Sequence, residues 1–291
     1  MSYISCYLMG GLGNQLFQIF ASFAYCIRNY NLLILPYSEL LETGKVRKTY
    51  WNNILSSFKE LTTFGKNVQF TNDQLYEFVR YREIGHHYNE IPYDLNTNIM
   101  FFGYFQSYKY FEKEKDQIFS FIKSDNMKKK VLDEYPEYLF KNQIAISMHF
   151  RLGDYKDISH IHPILPYEYY YNALYHLLLH IEINKPIVVL YFCEEEDNDN
   201  VKKIIDKLSD KFISFTFVKV NDSIDDWKQM LIMSNCYSNI IANSSFSWWG
   251  AYFNSNPDKI VCYPSLWFGK SVKNNMDSMF PTEWIKISIE T

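Results

Sequence analysis

The features that mark nucleic-acid-binding, membrane-spanning or secreted proteins are missing from this sequence of 291 residues. Its formal net charge is −4, so there is no basic excess that would predict binding to DNA or RNA. No stretch reaches the roughly 20 apolar residues that a membrane span needs. A strand-like pattern begins at Tyr3, where a signal peptide would otherwise lie. We therefore expect a cytoplasmic protein without a transmembrane segment, and peripheral membrane association stays open.

Cysteine is scarce and shows no pairing pattern. The five cysteines are widely spaced, their number is odd, and none forms a Cys-x-x-Cys pair. This pattern speaks against a disulfide framework and against a zinc site, and it predicts buried free thiols in a reducing compartment. Hydrophobic residues make up 47% and charged residues 21%, as expected of a globular protein with a substantial core.

Apolar runs of strand length alternate with segments of helical periodicity. Strands are predicted at 3–9, 32–35, 99–102, 143–150, 186–193, 213–219, 239–243 and 259–263. Helices are predicted at 14–29, 110–123, 167–182, 198–209 and 226–236, with another starting near Ser247. This alternation predicts the α/β class with mostly parallel sheets covered on both faces. The pattern leaves residues 37–97 unassigned.

The polar stretch 124–142 predicts a domain boundary. We expect an N-terminal domain over residues 1–135 and a C-terminal domain over residues 136–291. Two such α/β domains facing each other would place a ligand in the cleft between them.

The predicted strand at 143–150 leads into His149-Phe150-Arg151-Leu152-Gly153-Asp154-Tyr155. Ligands bind at the carboxyl ends of strands in open α/β sheets, and the Arg151 guanidinium is a rigid fork of donors suited to a diphosphate. In strand geometry, His149 and Arg151 point to the same face. We therefore expect a phosphorylated ligand here. The alternative is a structural salt-bridge network of His149 and Arg151 with Asp154.

A second motif, Gly10-Gly11-Leu12-Gly13-Asn14-Gln15, lies between a predicted strand and a predicted helix. Glycines allow close backbone approach, and a helix N-terminus attracts anions. The amides of Asn14 and Gln15 can meet a sugar hydroxyl or a phosphate oxygen. A dinucleotide-binding loop fits poorly because the third glycine is missing, and the Gly-Lys-Ser/Thr ending of a P-loop is absent. A plain strand–helix turn is the other interpretation.

The third motif is Asn243-Ser244-Ser245-Phe246-Ser247-Trp248-Trp249-Gly250, which follows a predicted strand. Serine hydroxyls and backbone N–H groups at such a place form an anion cradle. The alternative, compatible with the first, is a helix N-cap at Ser244 or Ser245. We expect Trp248 and Trp249 to pack in the core.

An acidic run, Glu194-Glu195-Glu196-Asp197-Asn198-Asp199, follows the strand at 186–193. The Asp197-x-Asp199 pair is similar to the acidic pair that carries a divalent metal in one class of nucleotide-sugar enzymes. An acidic run before a helix is more often a cap matched to the helix dipole. We therefore expect no metal site.

Together these segments resemble glycosyltransferase family 11, the α-1,2-fucosyltransferases. Four blocks carry the resemblance: residues 10–18, the Gly103-Tyr104-Phe105-Gln106-Ser107-Tyr108-Lys109-Tyr110-Phe111 block, residues 149–155 and residues 240–250. The last block is the most specific. The blocks occur in the family's order and span most of the chain.

The resemblance implies a GT-B architecture of two Rossmann-like domains and an inverting transfer of fucose from GDP-fucose to a glycan acceptor. It implies that the C-terminal half holds the donor, that the acceptor lies nearer the N-terminal half, that O2 of a galactose is the acceptor position, and that neither metal nor other cofactor takes part. The catalytic candidates are Arg151, Asp154, His149 and Asn14. The donor-binding candidates are Gly11, Gly13, Gln15, Arg151, Asn243, Ser244, Ser245, Phe246, Ser247, Gln229 and Asp226.

Two positions depart from the family pattern. Leu152 stands where the family has a second arginine, and Gln229 stands where the family often has an aspartate that could read guanine. These departures keep two alternatives open: a transferase of the same fold that uses GDP-mannose or another deoxysugar, and a glycan-binding protein that has lost catalysis. An NAD-dependent oxidoreductase is a more distant alternative. The sequence does not specify the acceptor, the general base or the oligomeric state.

Overall fold

The computed structural model describes residues 2–85, 87–92, 97–269, 272 and 275–289. The chain divides into two compact units. Unit 1 comprises Met1–Asn126 and Asn274–Pro281, and unit 2 comprises Met127–Lys273 and Thr282–Thr291. The division therefore falls after residue 126 instead of 135, and a short segment near the C-terminus belongs to unit 1. Two continuous domains, as expected from the sequence, would not include this returning segment.

Unit 1 is built on a parallel sheet with the strand order β2-β1-β6-β5. Its strands are β1 (Tyr3–Cys6), β2 (Leu32–Leu33), β3 (Leu40–Leu41), β4 (Arg47–Lys48), β5 (Val79–Arg82) and β6 (Ile99–Phe102), of which β3 and β4 form a separate antiparallel hairpin. Its helices are α1 (Leu12–Asn29), α2 (Asn72–Tyr76) and α3 (Lys115–Ile122), and α4 (Ser124–Glu134) contains the division between the units.

Helix α1 forms because its apolar residues recur at helical spacing. Leu16, Phe17 and Phe20 lie on that apolar face, and all three are fully buried. The ring of Phe20 lies 6.3 Å from that of Phe58 and 6.0 Å from that of Phe111, so aromatic contacts anchor the helix in the core of unit 1.

Unit 2 has a parallel sheet with the strand order β12-β11-β10-β7-β8-β9. Its strands are β7 (Ile144–His149), β8 (Ile187–Phe192), β9 (Phe215–Lys219), β10 (Ser238–Ile240), β11 (Val261–Pro264) and β12 (Ile285–Ile287). Its helices are α5 (Tyr167–His180), α6 (Asn198–Lys211), α7 (Asp226–Met233) and α8 (Ser245–Tyr252).

The core of unit 2 surrounds β7. Every residue of β7 is buried, as expected of a strand covered on both faces. Ile146 and Met148 belong to a buried cluster that also contains Tyr170 and Leu174 of α5. The predicted α/β class with two Rossmann-like units is confirmed.

Some elements differ from the prediction. The stretch 124–142 does contain the division between the units, but its first part is helical, because α4 lies there and buries Val131. Strand β12 was not predicted, nor were the elements between residues 37 and 97. The five cysteines are buried and free, as predicted. Among the described residues, no helix combines the length and apolarity that crossing a membrane requires.

Candidate functional site

Three segments of unit 2 lie at the carboxyl edge of its sheet. Because β8, β7 and β10 are neighbours in parallel register, the residues that follow these strands meet at one edge. They are residues 150–156 after β7, called here the β7 loop, residues 194–197 after β8, and residues 243–247, called here the α8 start.

The β7 loop is held by Asp197. This carboxylate is fully buried and accepts the backbone N–H of Gly153 at 2.7 Å and a bond from the ammonium of Lys156. Gly153 has φ +33, and a Cβ at this position would come within 2.6 Å of a carboxylate oxygen of Glu194. Glycine is therefore required at 153, and Asp197 shapes the loop that carries Arg151 and Asp154.

Arg151 lies between two carboxylates. Its guanidinium donates one N–H to Glu194 and one to Asp154, and its carbon atom Cζ lies 5.1 Å from the centroid of the Tyr155 ring. Burial favours a lower pKa for Arg151, but the charges of Glu194 and Asp154 raise it above its usual range. These two bonds use two of the five guanidinium N–H donors, so the fork keeps donors for a phosphate.

This arrangement combines both interpretations of the motif. Arg151 and Asp154 do form a salt bridge, and Glu194 completes it. His149 is not in this ion-pair network. Because β7 ends at His149, the two-residue periodicity of a strand does not extend to Arg151, and the two side chains have different partners.

His149 bonds to the α8 start. Its Nδ1 lies 2.9 Å from the hydroxyl of Ser247, and its ring centroid lies 5.5 Å from that of Phe246. Burial, and next the positive charge of Arg151, lower the pKa of His149 to about 3. A neutral, buried imidazole with such a pKa is a poor acceptor of a substrate proton, so we favour a positioning role for His149 over the predicted role as base.

The α8 start is a helix N-terminus at the carboxyl edge of the sheet. Ser244 is the N-cap, and its hydroxyl accepts the backbone N–H of Phe246 at 3.3 Å. Ser245 is the first residue of the helix. Asn243 is buried and donates from Nδ2 to the carbonyl oxygens of Pro163 and Trp267 at 2.8 and 3.3 Å, so its side chain fixes neighbouring loops. The cap is confirmed, and the predicted anion cradle at this helix start stays a prediction.

Trp248 and Trp249 are fully buried, so their predicted packing role is confirmed.

The acidic run does not act as the predicted cap. Asp197 occupies the N-cap position of α6, but its side chain makes no capping bond, because both carboxylate oxygens serve the β7 loop. The carboxylates that the described structure brings together are those of Glu194, Glu196 and Asp197, instead of the Asp197–Asp199 pair that the sequence suggested. Arg151 and Lys156 supply positive charge to this group.

The remaining donor candidates of unit 2 lie on α7. Gln229 donates from Nε2 to the carbonyl oxygen of Ile224 at 2.8 Å, and Asp226 accepts the backbone N–H of Trp227 at 2.8 Å. That they read guanine stays a prediction. Leu152 is 8% exposed and belongs to the core cluster of unit 2, so this position points into the protein interior and offers no place for the family's second cation.

The glycine turn of unit 1 precedes α1. Gly10 has φ +74, and a Cβ there would lie 2.4 Å from the amide nitrogen of Asn14, so glycine is required. Gly11 is the N-cap, where a Cβ would meet no atom within 4 Å, and Gly13 is the second residue of the helix. Asn14 accepts from the amide of Gln106 at 2.8 Å. The open space beside Gly11 would let a ligand approach the backbone closely. The predicted ligand contacts of this turn stay predictions.

Gln15 lies inside unit 1. Its side chain is fully buried and donates from Nε2 to the carbonyl oxygens of Gly10 at 3.0 Å and Lys48 at 2.9 Å. The predicted contact of Gln15 with the donor would require its amide to leave these carbonyls.

Sequence reasoning misses one polar side chain at a sheet edge. In unit 1, the Glu83 carboxylate accepts the backbone N–H groups of Tyr104 and Phe105 at 2.8 Å each, and burial raises the pKa of Glu83 to about 7. The only sequence signal for Glu83 is the glycine at 103, whose Cβ would lie 2.4 Å from the Cβ of Glu83.

A parallel sheet with an arginine loop and a serine-rich helix start at its carboxyl edge is an arrangement that α/β enzymes use for phosphorylated ligands. Comparison with protein families identifies the class of enzyme. The model of glycosyl transferase family 11 matches residues 4–288, and the chain belongs to this family. The protein is therefore a glycosyltransferase, and the resemblance seen in four sequence blocks is confirmed.

Two relatives from Escherichia coli match over nearly the whole chain. The O-antigen biosynthesis glycosyltransferase WbnK is 26% identical, with 97% of this chain and 99% of the relative covered. An alpha-1,2-colitosyltransferase is also 26% identical, with 99% of both chains covered. Among solved structures, the E. coli ADP-heptose LPS heptosyltransferase II is similar in fold, with a TM-score of 0.50, 8% identity, and coverage of 99% of this chain and 90% of that chain.

Proposed function

We propose that this glycosyltransferase moves fucose from GDP-fucose to the O2 hydroxyl of a galactose residue in a glycan, with inversion at the anomeric carbon. Family membership over residues 4–288 is the observation that carries the proposal. The name of the alpha-1,2-colitosyltransferase, which matches over 99% of both chains, supports an α-1,2 linkage.

In this proposal, unit 2 binds the donor through Arg151 and the α8 start. Negative charge develops on the leaving diphosphate, and preorganised donors lower its energy. Arg151 keeps N–H donors beyond those bound by Asp154 and Glu194, and Tyr155 and Glu194 hold the plane of its fork in place. The backbone N–H groups of the first turn of α8 add the positive end of a helix dipole.

We propose further that neither a metal nor another cofactor takes part. The charges around the β7 loop support this, because the guanidinium of Arg151 provides the cation that a diphosphate needs. The carboxylates of Glu194 and Asp197 already bond to the protein's own cations, Arg151 and Lys156.

A second candidate is transfer of colitose or another deoxysugar from a guanine nucleotide. Two observations favour it: the 26% identity to an alpha-1,2-colitosyltransferase, and the burial of Leu152 where the family has an arginine. It uses the same residues and differs in the sugar.

The test is a transfer assay on the purified protein in the presence of EDTA. GDP-fucose, GDP-colitose and GDP-mannose are offered separately with lactose as a galactose-terminated acceptor, and the linkage of each product is determined by NMR. An α-linked fucose on O2 of galactose supports the proposal. A product from GDP-colitose alone supports the second candidate. No product from any donor, or a product only after a divalent cation is added, contradicts the account.

A further inference from the structure

A carboxylate in unit 1 has the position and the chemistry of an acid–base residue. Strands β5 and β6 run parallel, with Arg82 opposite Phe102 at their carboxyl ends. Glu83 directly follows β5 and Gly103 directly follows β6, so both lie at the carboxyl edge of the sheet, where α/β proteins bind ligands.

The segment after β6 is shaped around this carboxylate. Oxygen Oε2 of Glu83 accepts the N–H groups of Tyr104 and Phe105, and a Cβ on Gly103 would lie 2.6 Å from the same oxygen. Phe105 has φ +51, a left-handed conformation that is uncommon for an aromatic residue. Such strain persists where surrounding structure enforces it, often at functional sites.

One oxygen of Glu83 remains for another partner. Both backbone bonds fall on Oε2, and within the described ranges no hydrogen bond or ion pair of Oε1 is found. The side chain is half-buried, so Oε1 is neither sealed in the core nor freely hydrated. Burial raises the pKa of Glu83 to about 7, which matches what a general base needs near neutral pH.

Glu83 is tied to a polar group that the family resemblance singled out. Gln106 directly follows Phe105, whose N–H holds Glu83, and the amide of Gln106 donates to Asn14 at 2.8 Å. Asn14 lies in the first turn of α1, the helix that follows β1, and β1 lies next to β6 in the sheet. The carboxyl edge of unit 1 thus carries Glu83, Gln106 and Asn14 on three adjacent strand ends, a set suited to binding sugar hydroxyls.

The base candidates predicted in unit 2 are less suited. His149 is buried, bonded to Ser247, and has a pKa of about 3. Asp154 forms a salt bridge with Arg151, so its carboxylate is already bonded to a cation of the protein. We propose that Glu83 is the general base that takes the proton from the acceptor hydroxyl. This inference rests on the proposed function.

The step is balanced without any co-reactant. The hydroxyl oxygen of the acceptor forms a bond to the anomeric carbon, and the bond from that carbon to the diphosphate oxygen breaks with its electron pair staying on the diphosphate. The hydroxyl proton passes to Oε1 of Glu83, which releases it to water after the product leaves.

Two phenols and one cation lie near Glu83. The phenols are those of Tyr81 and Tyr110. Burial is the largest cause that raises the pKa of both phenols, and the negative charge of Glu83 raises it further. The cation of Arg82, the preceding residue, lies over the Phe102 ring at 4.7 Å. Since the phenols titrate far above neutrality, Glu83 is the group expected to govern a pH limb near 7.

The test compares wild type with Glu83→Gln, which keeps an oxygen acceptor for Tyr104 and Phe105 but cannot take a proton. Loss of a general base typically lowers the rate about 10²–10⁴-fold. We expect a loss of this size in kcat, with GDP binding and thermal unfolding close to wild type. The wild-type kcat/KM should rise with pH through about 7, and this limb should vanish in the variant. Glu77→Gln, at an exposed position of unit 1, is the matched control and should behave as wild type.

Two further variants separate a base from a merely structural residue. Glu83→Asp should recover part of the activity, and formate added to Glu83→Ala should raise its rate, because a small carboxylate can replace the missing base. If Glu83→Gln keeps most of the activity and the limb, or if formate has no effect on a folded Glu83→Ala, the inference is wrong while transfer by wild type still stands. If wild type transfers no sugar at all, the proposed function fails and Glu83 as its base fails with it.

Discussion

Nδ1 of His149 lies 2.9 Å from the hydroxyl of Ser247, and this contact joins the end of β7 to the first turn of α8. The same hydroxyl accepts the backbone N–H of Ala242 at 3.2 Å and lies 3.4 Å from the carbonyl oxygen of Ser244. Hydrogen bonds therefore join two motifs that are 98 residues apart in the sequence. His149 sets the position of the helix start relative to the strand that precedes Arg151.

Ser247→Ala should destabilise the protein. The substitution leaves the buried Nδ1 of His149 and the N–H of Ala242 without this partner, and an unsatisfied buried group costs about 1–3 kcal/mol. The free energy of unfolding from urea titration measures the loss. Ser255→Ala, at an exposed position of the same unit, should change it by less than about 0.5 kcal/mol. Equal stability of the two variants would show that the contact does not stabilise the folded protein.

Acidification should destabilise the folded protein through His149. Its pKa falls from 6.5 to about 3 on burial, so between these values the unfolded chain binds a proton that the folded protein does not. The contribution of His149 is complete above pH 6.5 and is lost as the pH falls towards 3, at up to roughly 1.4 kcal/mol per pH unit.

The check is a comparison of wild type with His149→Asn, whose amide can replace Nδ1 but does not titrate. The difference in unfolding free energy between about pH 7 and about pH 5 should be smaller in the variant. The comparison is needed because Glu83, whose pKa is raised from 4.5 to about 7, works in the opposite direction over the same range. A pH dependence that is identical in both proteins would exclude a buried, neutral His149.

Arg151→Ala should fold but transfer sugar poorly. Loss of one preorganised donor to a developing negative charge lowers kcat by about 10²–10³. Arg151→Lys should recover only part of the rate, because a single ammonium cannot replace the fork that meets two phosphate oxygens. Steady-state kinetics with circular dichroism separate rate from folding. Lys203→Ala removes an exposed cation of α6 and should keep the wild-type rate, while a high rate in Arg151→Ala would contradict the assignment.

Restoring the family's second arginine should harm the protein. Leu152 is buried in the core cluster of unit 2, so Leu152→Arg places an unpaired cation in the interior and should cost at least about 3 kcal/mol of stability. Leu152→Met conserves volume and should cost less than about 1.5 kcal/mol. Thermal unfolding and GDP titration are the measurements. A stable Leu152→Arg that binds GDP more tightly would show that this position faces the ligand.

Regular elements were predictable where one signal dominated. The run at 143–150 is apolar throughout, and it forms the fully buried β7 at Ile144–His149. Helix α1 follows from its apolar periodicity. By contrast, β5 (Val79–Arg82) is largely exposed and carries two arginines, so hydrophobicity gives no indication of it. The strand forms because it pairs with β6. Its partner residues lie 20 positions further along the chain, so a local sequence pattern cannot predict the pairing.

The sequence predicts which loops form the candidate site better than it predicts what each residue does there. Position at a strand end singled out Arg151 and Ser244. The acidic run before α6 predicts a helix cap at Asp197, but this carboxylate instead binds the β7 loop. Its partner, the N–H of Gly153, follows a different strand, so a local sequence rule contains no information about the contact. Glu83 was missed because its pKa depends on burial, which the sequence does not state.

The measurement that tests the account most directly is calorimetric titration of wild type and Arg151→Ala with GDP, GDP-fucose, GDP-mannose and UDP in the presence of EDTA. The account predicts that GDP and GDP-fucose bind wild type without metal, that UDP does not, and that Arg151→Ala binds GDP at least about tenfold more weakly, as expected for loss of a charged hydrogen bond. Binding of guanine nucleotides only after a divalent cation is added, or equal affinity of wild type and Arg151→Ala, would contradict it.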